Sequence, residues 1–144
     1  MNRRTELLDV ISRKLAPFVM VFGLYLVAYA HRSPGGGFQG GVVIASAVIL
    51  LALGRDIYDV ERLFPLRALH FVEVFAFLLF LAVALGGALF WAGIFSYPPA
   101  GGQEQLGLPP RLVLSTLNAL IGVKVGSGVT LLALTLFEDD RRRP

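Results

Sequence analysis

Residues 112–137 have the sequence LVLSTLNALIGVKVGSGVTLLALTLF, in which Lys124 is the one charged residue. A helix that crosses about 30 Å of hydrocarbon needs roughly 20 predominantly apolar residues, and this tract is long enough. Three similar tracts precede it, at residues 15–30, 38–54 and 68–95. Because a chain in lipid must satisfy its own backbone hydrogen bonds, each tract is predicted to be a helix. The sequence therefore predicts an all-α integral membrane protein with four transmembrane helices.

The composition agrees with this fold class. Hydrophobic residues make up 56% of the chain and charged residues 16%, whereas a soluble domain carries about a quarter charged residues. The charges concentrate in residues 1–14, 54–67 and 138–143. We find no sign of a second domain, so residues 1–144 are predicted to form a single membrane domain. The chain has no cysteine and two histidines, which argues against disulfides, thiolate chemistry and a metal site, and no cofactor is expected.

The distribution of basic residues predicts the orientation. The net charge of +3 and the pI near 9.7 are compatible with nucleic-acid binding, but the basic residues flank the apolar tracts. Four lie in the N-terminal segment, three between the second and third tracts and three in the tail, whereas the opposite side carries Arg32 and Arg111. The positive-inside rule then places both termini in the cytoplasm. No nucleic-acid partner is expected.

A secretory signal peptide is the competing interpretation of the N-terminus. Ala28, Tyr29 and Ala30 match a small-x-small cleavage pattern, and cleavage there would leave three spans and a chain that begins at His31. The basic region before the first tract is long and amphipathic rather than a short positive lead. This favours an uncleaved first helix.

A glycine-rich segment, HRSPGGGFQGG at residues 31–41, joins the first two tracts. Pro34 fixes its own φ angle, and Gly35, Gly36 and Gly37 permit positive φ and close backbone approach. The segment is therefore predicted to be a tight, packed turn, after which the second helix begins.

Two interpretations of this turn remain open. It either lets neighbouring helices or subunits pack closely, or it forms an exposed backbone nest in which Gln39 lines an ion entrance. Residues 35–40 also match the G-x-G-x-x-G pattern, with Asp59 about 20 residues further on. That fingerprint requires a preceding β-strand, and here it joins two membrane helices, so nucleotide binding is not predicted.

Lys124 is the strongest candidate for a functional residue. With about a dozen residues of the tract on each side, its Cα lies roughly 18 Å from either end of the span, too far for the side chain to reach water. We expect it to lie in an ion path, alternating between charged and neutral as protons pass; the alternative is a fixed ion pair with an acid on a partner subunit. Gly122 and Gly126 form a small-xxx-small stripe that permits another helix to approach.

Two further ionisable residues are weaker candidates. His70 and Glu73 lie at i and i+3 on one face of the third helix, about 10 Å or less from its cytoplasmic end. They either feed protons towards Lys124 or form an interfacial salt-bridge cluster with Arg67. The sequence contains no visible nucleophile–base arrangement, so enzymatic activity is not predicted.

Two stretches resemble the MnhB/MrpB family, whose members are subunits of multi-subunit Mrp-type sodium/proton antiporters. The first, residues 31–44, contains Ser-Pro-Gly-Gly-Gly-Phe, and the second is residues 118–126, NALIGVKVG. Length and the four predicted spans are also similar to that family. One departure is that Ala30 and Arg32 flank the histidine, where the family commonly has a glycine and an apolar residue.

The resemblance implies a role and partners. Such subunits are multi-pass proteins in the lipid bilayer of a prokaryotic cell membrane. They accompany large subunits related to respiratory complex I, and the complex exchanges Na+ for H+. The implied function is a non-catalytic subunit that contributes to assembly and to the ion pathway. Alternatives are the homologous subunit of a membrane-bound hydrogenase or sulfane reductase complex, and a purely architectural subunit that no ion contacts. A stand-alone transporter is disfavoured because four spans leave little room for an alternating-access core.

Overall fold

The structure is a computed structural model that describes residues 3–32, 36–90 and 110–142. These residues form α-helices and no β-strand. The helices are α1 (Arg3–Ala28), α2 (Gly36–Gly54), α3 (Ile57–Leu63), α4 (Leu66–Phe90) and α5 (Pro110–Arg142), and a short 3-10 helix, Ala30–Arg32, follows α1. Four of them, α1, α2, α4 and α5, are long and apolar enough to cross a membrane. The prediction of an all-α fold with four spans is confirmed.

The span boundaries differ from the expected ones in detail. The candidate membrane span in α1 begins at Leu7 rather than at residue 15, because the amphipathic segment before the first apolar tract is also helical. Helix α4 begins at Leu66, after Pro65, whose carbonyl accepts the amide hydrogen bonds of the first turn. The expected continuation of this span through residues 91–95 lies outside the described residues. The apolar part of α5, Leu112–Asp139, nearly matches the expected span.

The glycine-rich segment requires a correction. Gly36 and Gly37 were expected in the turn, but both lie in the first turn of α2, which begins two residues before the expected Phe38. Pro34 and Gly35 lie outside the described residues. The helix begins early because these glycines have no Cβ: a Cβ on Gly36 would lie 2.6 Å from the Cα of Ala30. Helical backbone therefore lies directly against the 3-10 helix.

The short helix α3 was not predicted. Asp56, in an extended conformation, precedes it, and Ile57 and Val60 are its buried residues. These two side chains form a buried cluster with Val48 of α2 and Leu134 of α5. Helix α3 thereby packs against α2 and α5.

The four long helices lie in the order α1, α2, α5, α4. Extensive contacts join α1 to α2, α2 to α5 and α5 to α4, whereas α1 touches α5 only slightly. As a result α4, which precedes α5 in sequence, lies at the edge of the bundle and packs mainly on α5. On α5, Lys124 lies on the side that faces α4, and Gly122 and Gly126 lie on the side that faces α2.

Candidate functional site

Lys124 and Glu73 form an ion pair between α5 and α4. The Nζ atom of Lys124 lies 3.9 Å from Oε1 of Glu73. Their side chains are 40% and 28% exposed, so the chain only partly encloses the pair. Sequence reasoning identified both residues but left open whether they meet. The acid near Lys124 thus comes from this chain, and no partner subunit is needed to supply it.

Two neighbours that sequence reasoning did not place in the site shape this pair. The ring of Phe77, one turn after Glu73 on α4, lies under the ammonium group, with Nζ 5.5 Å from the ring centroid. A Cβ built on Gly128 would lie 3.2 Å from Oε1 of Glu73. The carboxylate therefore rests against the backbone of α5, one turn after Lys124. The i, i+4 spacings from Glu73 to Phe77 and from Lys124 to Gly128 were the available sequence signals.

The pair has a chemistry that depends on its surroundings. A lone lysine at the centre of a bilayer costs about 2.5–3.5 kcal/mol even on a lenient insertion scale, and a nearby carboxylate offsets part of this cost. An aromatic ring face adds attraction for the cation. Protonation of the carboxylate, or binding of another cation to it, removes the negative charge that holds Lys124. The arrangement can therefore couple a proton or a cation to the position of one side chain.

The other two ion-path candidates lie apart from this contact. His70 is at an exposed position one turn before Glu73, and Arg67 is exposed as well. In the part of the chain that the structure describes, Glu73 forms its ion pair with Lys124 and not with Arg67. Gln39 is exposed on α2, on the far side of α5 from α4.

Glycines bring α2 and α5 into backbone contact. A Cβ on Gly41 would lie 2.5 Å from the carbonyl oxygen of Gly122, and one on Gly126 would lie 3.3 Å from the oxygen of Gly41. A Cβ on Gly37 would overlap the backbone oxygen of Asn118. The stripe of Gly122 and Gly126 thus faces a second stripe, Gly37 and Gly41, which sequence reasoning did not identify as a pair.

Gly36 and Gly40 form another stripe on α2, which faces α1 and the 3-10 helix after it. A Cβ on Gly40 would lie 2.5 Å from Cγ2 of Val27, and Gly36 contacts Ala30. The side-chain amide of Asn118 donates a 3.4 Å hydrogen bond to the carbonyl oxygen of Ala30. Gly36 and Gly40 on one face, with Gly37 and Gly41 on the next, explain why this segment contains so many glycines.

The described residues hold no cluster of three or more His, Asp or Glu side chains that could bind a metal ion. Around the ion pair, the structure brings together Lys124, Glu73, Phe77 and Gly128. The glycine stripes are a separate packing feature on the opposite side of α5.

Comparisons with known proteins agree on the family. Residues 7–131 match a family model described as a domain related to the MnhB subunit of Na+/H+ antiporter. The B-type chain of the Na(+)/H(+) antiporter of Alkalihalophilus pseudofirmus is 30% identical over 142 residues, covering 93% of each chain. The corresponding antiporter chain of Bacillus subtilis is 31% identical over 131 residues, covering 85% of this chain and 90% of that protein. No solved structure is significantly similar. This four-helix membrane protein belongs to the MnhB family.

Proposed function

We propose that this chain is a non-catalytic subunit of a multi-subunit sodium/proton antiporter in the cell membrane of a prokaryote. Its relatives, which are named as B-type subunits of Na+/H+ antiporters, support membership of such a complex. Its partners are then the other subunits, including large subunits related to those of respiratory complex I, together with Na+, H+ and the lipid bilayer. Both termini lie in the cytoplasm, as the distribution of basic residues favours.

The contact of Lys124 with Glu73 is the observation that carries a role in the ion pathway. Ionisable residues within membrane spans are costly and commonly serve ion or proton movement. When Glu73 takes up a proton or Na+, Lys124 loses its counter-charge and moves or becomes neutral. When Glu73 releases the proton or Na+, the ion pair forms again. This alternation couples the charge on Glu73 to the ammonium of Lys124.

An architectural role in the complex is the second candidate function, and the glycine stripes favour it. Gly37 and Gly41 bring α2 against the backbone of α5, which makes this part of the bundle close-packed. In that case the ion pair only fixes α4 on α5, and no transported ion reaches it.

Purification of the tagged protein in mild detergent, with mass spectrometry of the attached chains, tests membership of the complex. Large antiporter-like subunits without redox proteins support the proposal. Hydrogenase or other iron–sulfur subunits would instead assign the chain to a redox-driven pump. If the chain came out alone and still transported cations in liposomes, the proposed membership of a complex would be wrong.

Replacement of Glu73 separates the two candidate functions. We expect Glu73→Gln to leave the complex assembled but to reduce Na+/H+ exchange strongly, because the amide cannot carry the changing charge. Asp59→Asn is the matched control, since Asp59 is an exposed acid on α3 outside the pair. Loss of the complex itself in Glu73→Gln would favour the architectural function.

A further inference from the structure

The ion pair of Lys124 and Glu73 is only partly enclosed by the described chain. Lys124 lies near the middle of the apolar part of α5, Leu112–Asp139, yet 40% of its side chain is exposed. Its distance of 3.9 Å from Oε1 exceeds the roughly 2.7–3.2 Å of a hydrogen bond, so this contact is purely electrostatic. An ammonium has three donors, and contact with acyl chains would leave them unsatisfied in hydrocarbon.

Phe77 marks the side of α4 on which the ammonium lies. The Nζ atom lies over the Phe77 ring, and the Phe77 residue is itself 46% exposed. At about 100° per residue, Val74 and Leu81 lie on the Phe77 side of Glu73, whereas Val72 and Leu79 lie on the opposite side. Since α4 is at the edge of the bundle, neither side of it is covered by another long helix of the described chain.

We propose that a transmembrane helix of another subunit packs on the Phe77 side of α4 and donates an uncharged oxygen acceptor to Lys124. A hydroxyl, a side-chain amide or a free backbone carbonyl fits, because the pair of Lys124 and Glu73 is already neutral. A further carboxylate would leave a net negative charge within the hydrocarbon, which is costly. This inference rests on the proposed membership of an antiporter complex and names the surface through which the site meets a partner.

Site-directed cross-linking tests the surface directly, because the chain has no cysteine and each variant carries a single thiol. Val74→Cys and Leu81→Cys are compared with Val72→Cys and Leu79→Cys. The original side chains are similarly exposed, at 44% and 40% against 41% and 40%. With a thiol-reactive benzophenone in native membranes, we expect several-fold more cross-linking to another subunit from positions 74 and 81.

Three outcomes would overturn this inference. One is equal cross-linking from both sides of α4, and another is cross-linking from positions 72 and 79 alone. The third is labelling of positions 74 and 81 by a membrane-impermeant charged thiol reagent without any protein cross-link, which would show a water-filled passage in place of a helix.

A charge exchange tests the acceptor. The double variant Glu73→Lys with Lys124→Glu keeps an ion pair within the chain but points a carboxylate at the partner's oxygen. We expect this variant to be recovered from membranes but not in the complex, whereas wild-type incorporation would overturn the inference. The cross-linking comparison does not depend on this variant. If cross-linking fails while Glu73→Gln still abolishes exchange, the partner surface is wrong and the proposed function stands.

Discussion

At the scale of single residues, Lys124 and Glu73 depend on each other. Each is a charged group within a mostly apolar stretch of its helix, and each lies within reach of the other across the α4–α5 contact. Removing one partner leaves an uncompensated charge, whereas removing both leaves two neutral side chains. The effects of substitutions at these positions are therefore expected to be strongly non-additive.

A double-mutant cycle on the isolated chain in detergent measures this dependence. We expect Glu73→Gln to lower the free energy of unfolding by about 2 kcal/mol, because Lys124 keeps its charge without a partner. Adding Lys124→Met should bring the stability back to within about 1 kcal/mol of the wild type. If the loss of stability in the double variant equalled the sum of the losses in Glu73→Gln and in Lys124→Met alone, the ion pair would contribute nothing to folding.

At the scale of helices, glycine stripes determine which helix lies beside α2. Gly41 lies against the backbone of Gly122, and Gly40 lies against Val27 of α1. Larger residues would separate these helices, because backbone atoms cannot move aside as a flexible side chain can. The position of α5 between α2 and α4 thus depends on small residues on its α2 side.

Gly41→Ala tests this packing, with Gly86→Ala as the matched control. The new Cβ at position 41 would lie 2.5 Å from a carbonyl oxygen, whereas nothing lies within 4 Å of one at position 86. We expect Gly41→Ala to destabilise the isolated chain by about 2 kcal/mol. Gly86→Ala should be neutral or stabilising by up to about 1 kcal/mol, since alanine favours helix. Equal effects on thermal unfolding in detergent would contradict the account.

Some elements could be predicted from the sequence and others could not. The four spans could, because apolar length is a local property of each tract, and Lys124 and Glu73 could be singled out as charges within them. Their contact could not be predicted, since it depends on the order of helices in the bundle, which no local pattern encodes. Helix α3 was missed because two buried residues in seven give too little periodicity. Gly36 and Gly37 were placed in a turn because glycine permits both turns and close helix packing.

At the scale of the whole molecule, the helix order leaves α4 at one edge of the bundle and α1 at the other. Both edge helices expose large apolar side chains, including Phe18 at 74% and Phe71 at 69%. In a bilayer these surfaces contact lipid or other subunits. The buried cluster around Val60 and Leu134 holds α2, α3 and α5 together at one end.

Fusions to reporters that are active only in the cytoplasm test the orientation of the molecule. We expect reporters at both termini to be active, because ten of the thirteen basic residues lie in segments on that side. A reporter inserted near residue 101, between α4 and α5, should be inactive. An active internal reporter with inactive terminal ones would reverse the assigned orientation.

The central claim is that the pair of Lys124 and Glu73 takes part in ion exchange, and Lys124→Met tests it most directly. Na+-dependent proton exchange is measured in everted membrane vesicles and normalised to the amount of assembled complex. Arg67→Met is the control, because it removes an exposed positive charge outside the ion pair. The account predicts that Lys124→Met assembles normally and loses most of the exchange, while Arg67→Met retains it. Normal assembly with undiminished exchange in Lys124→Met would contradict the claim.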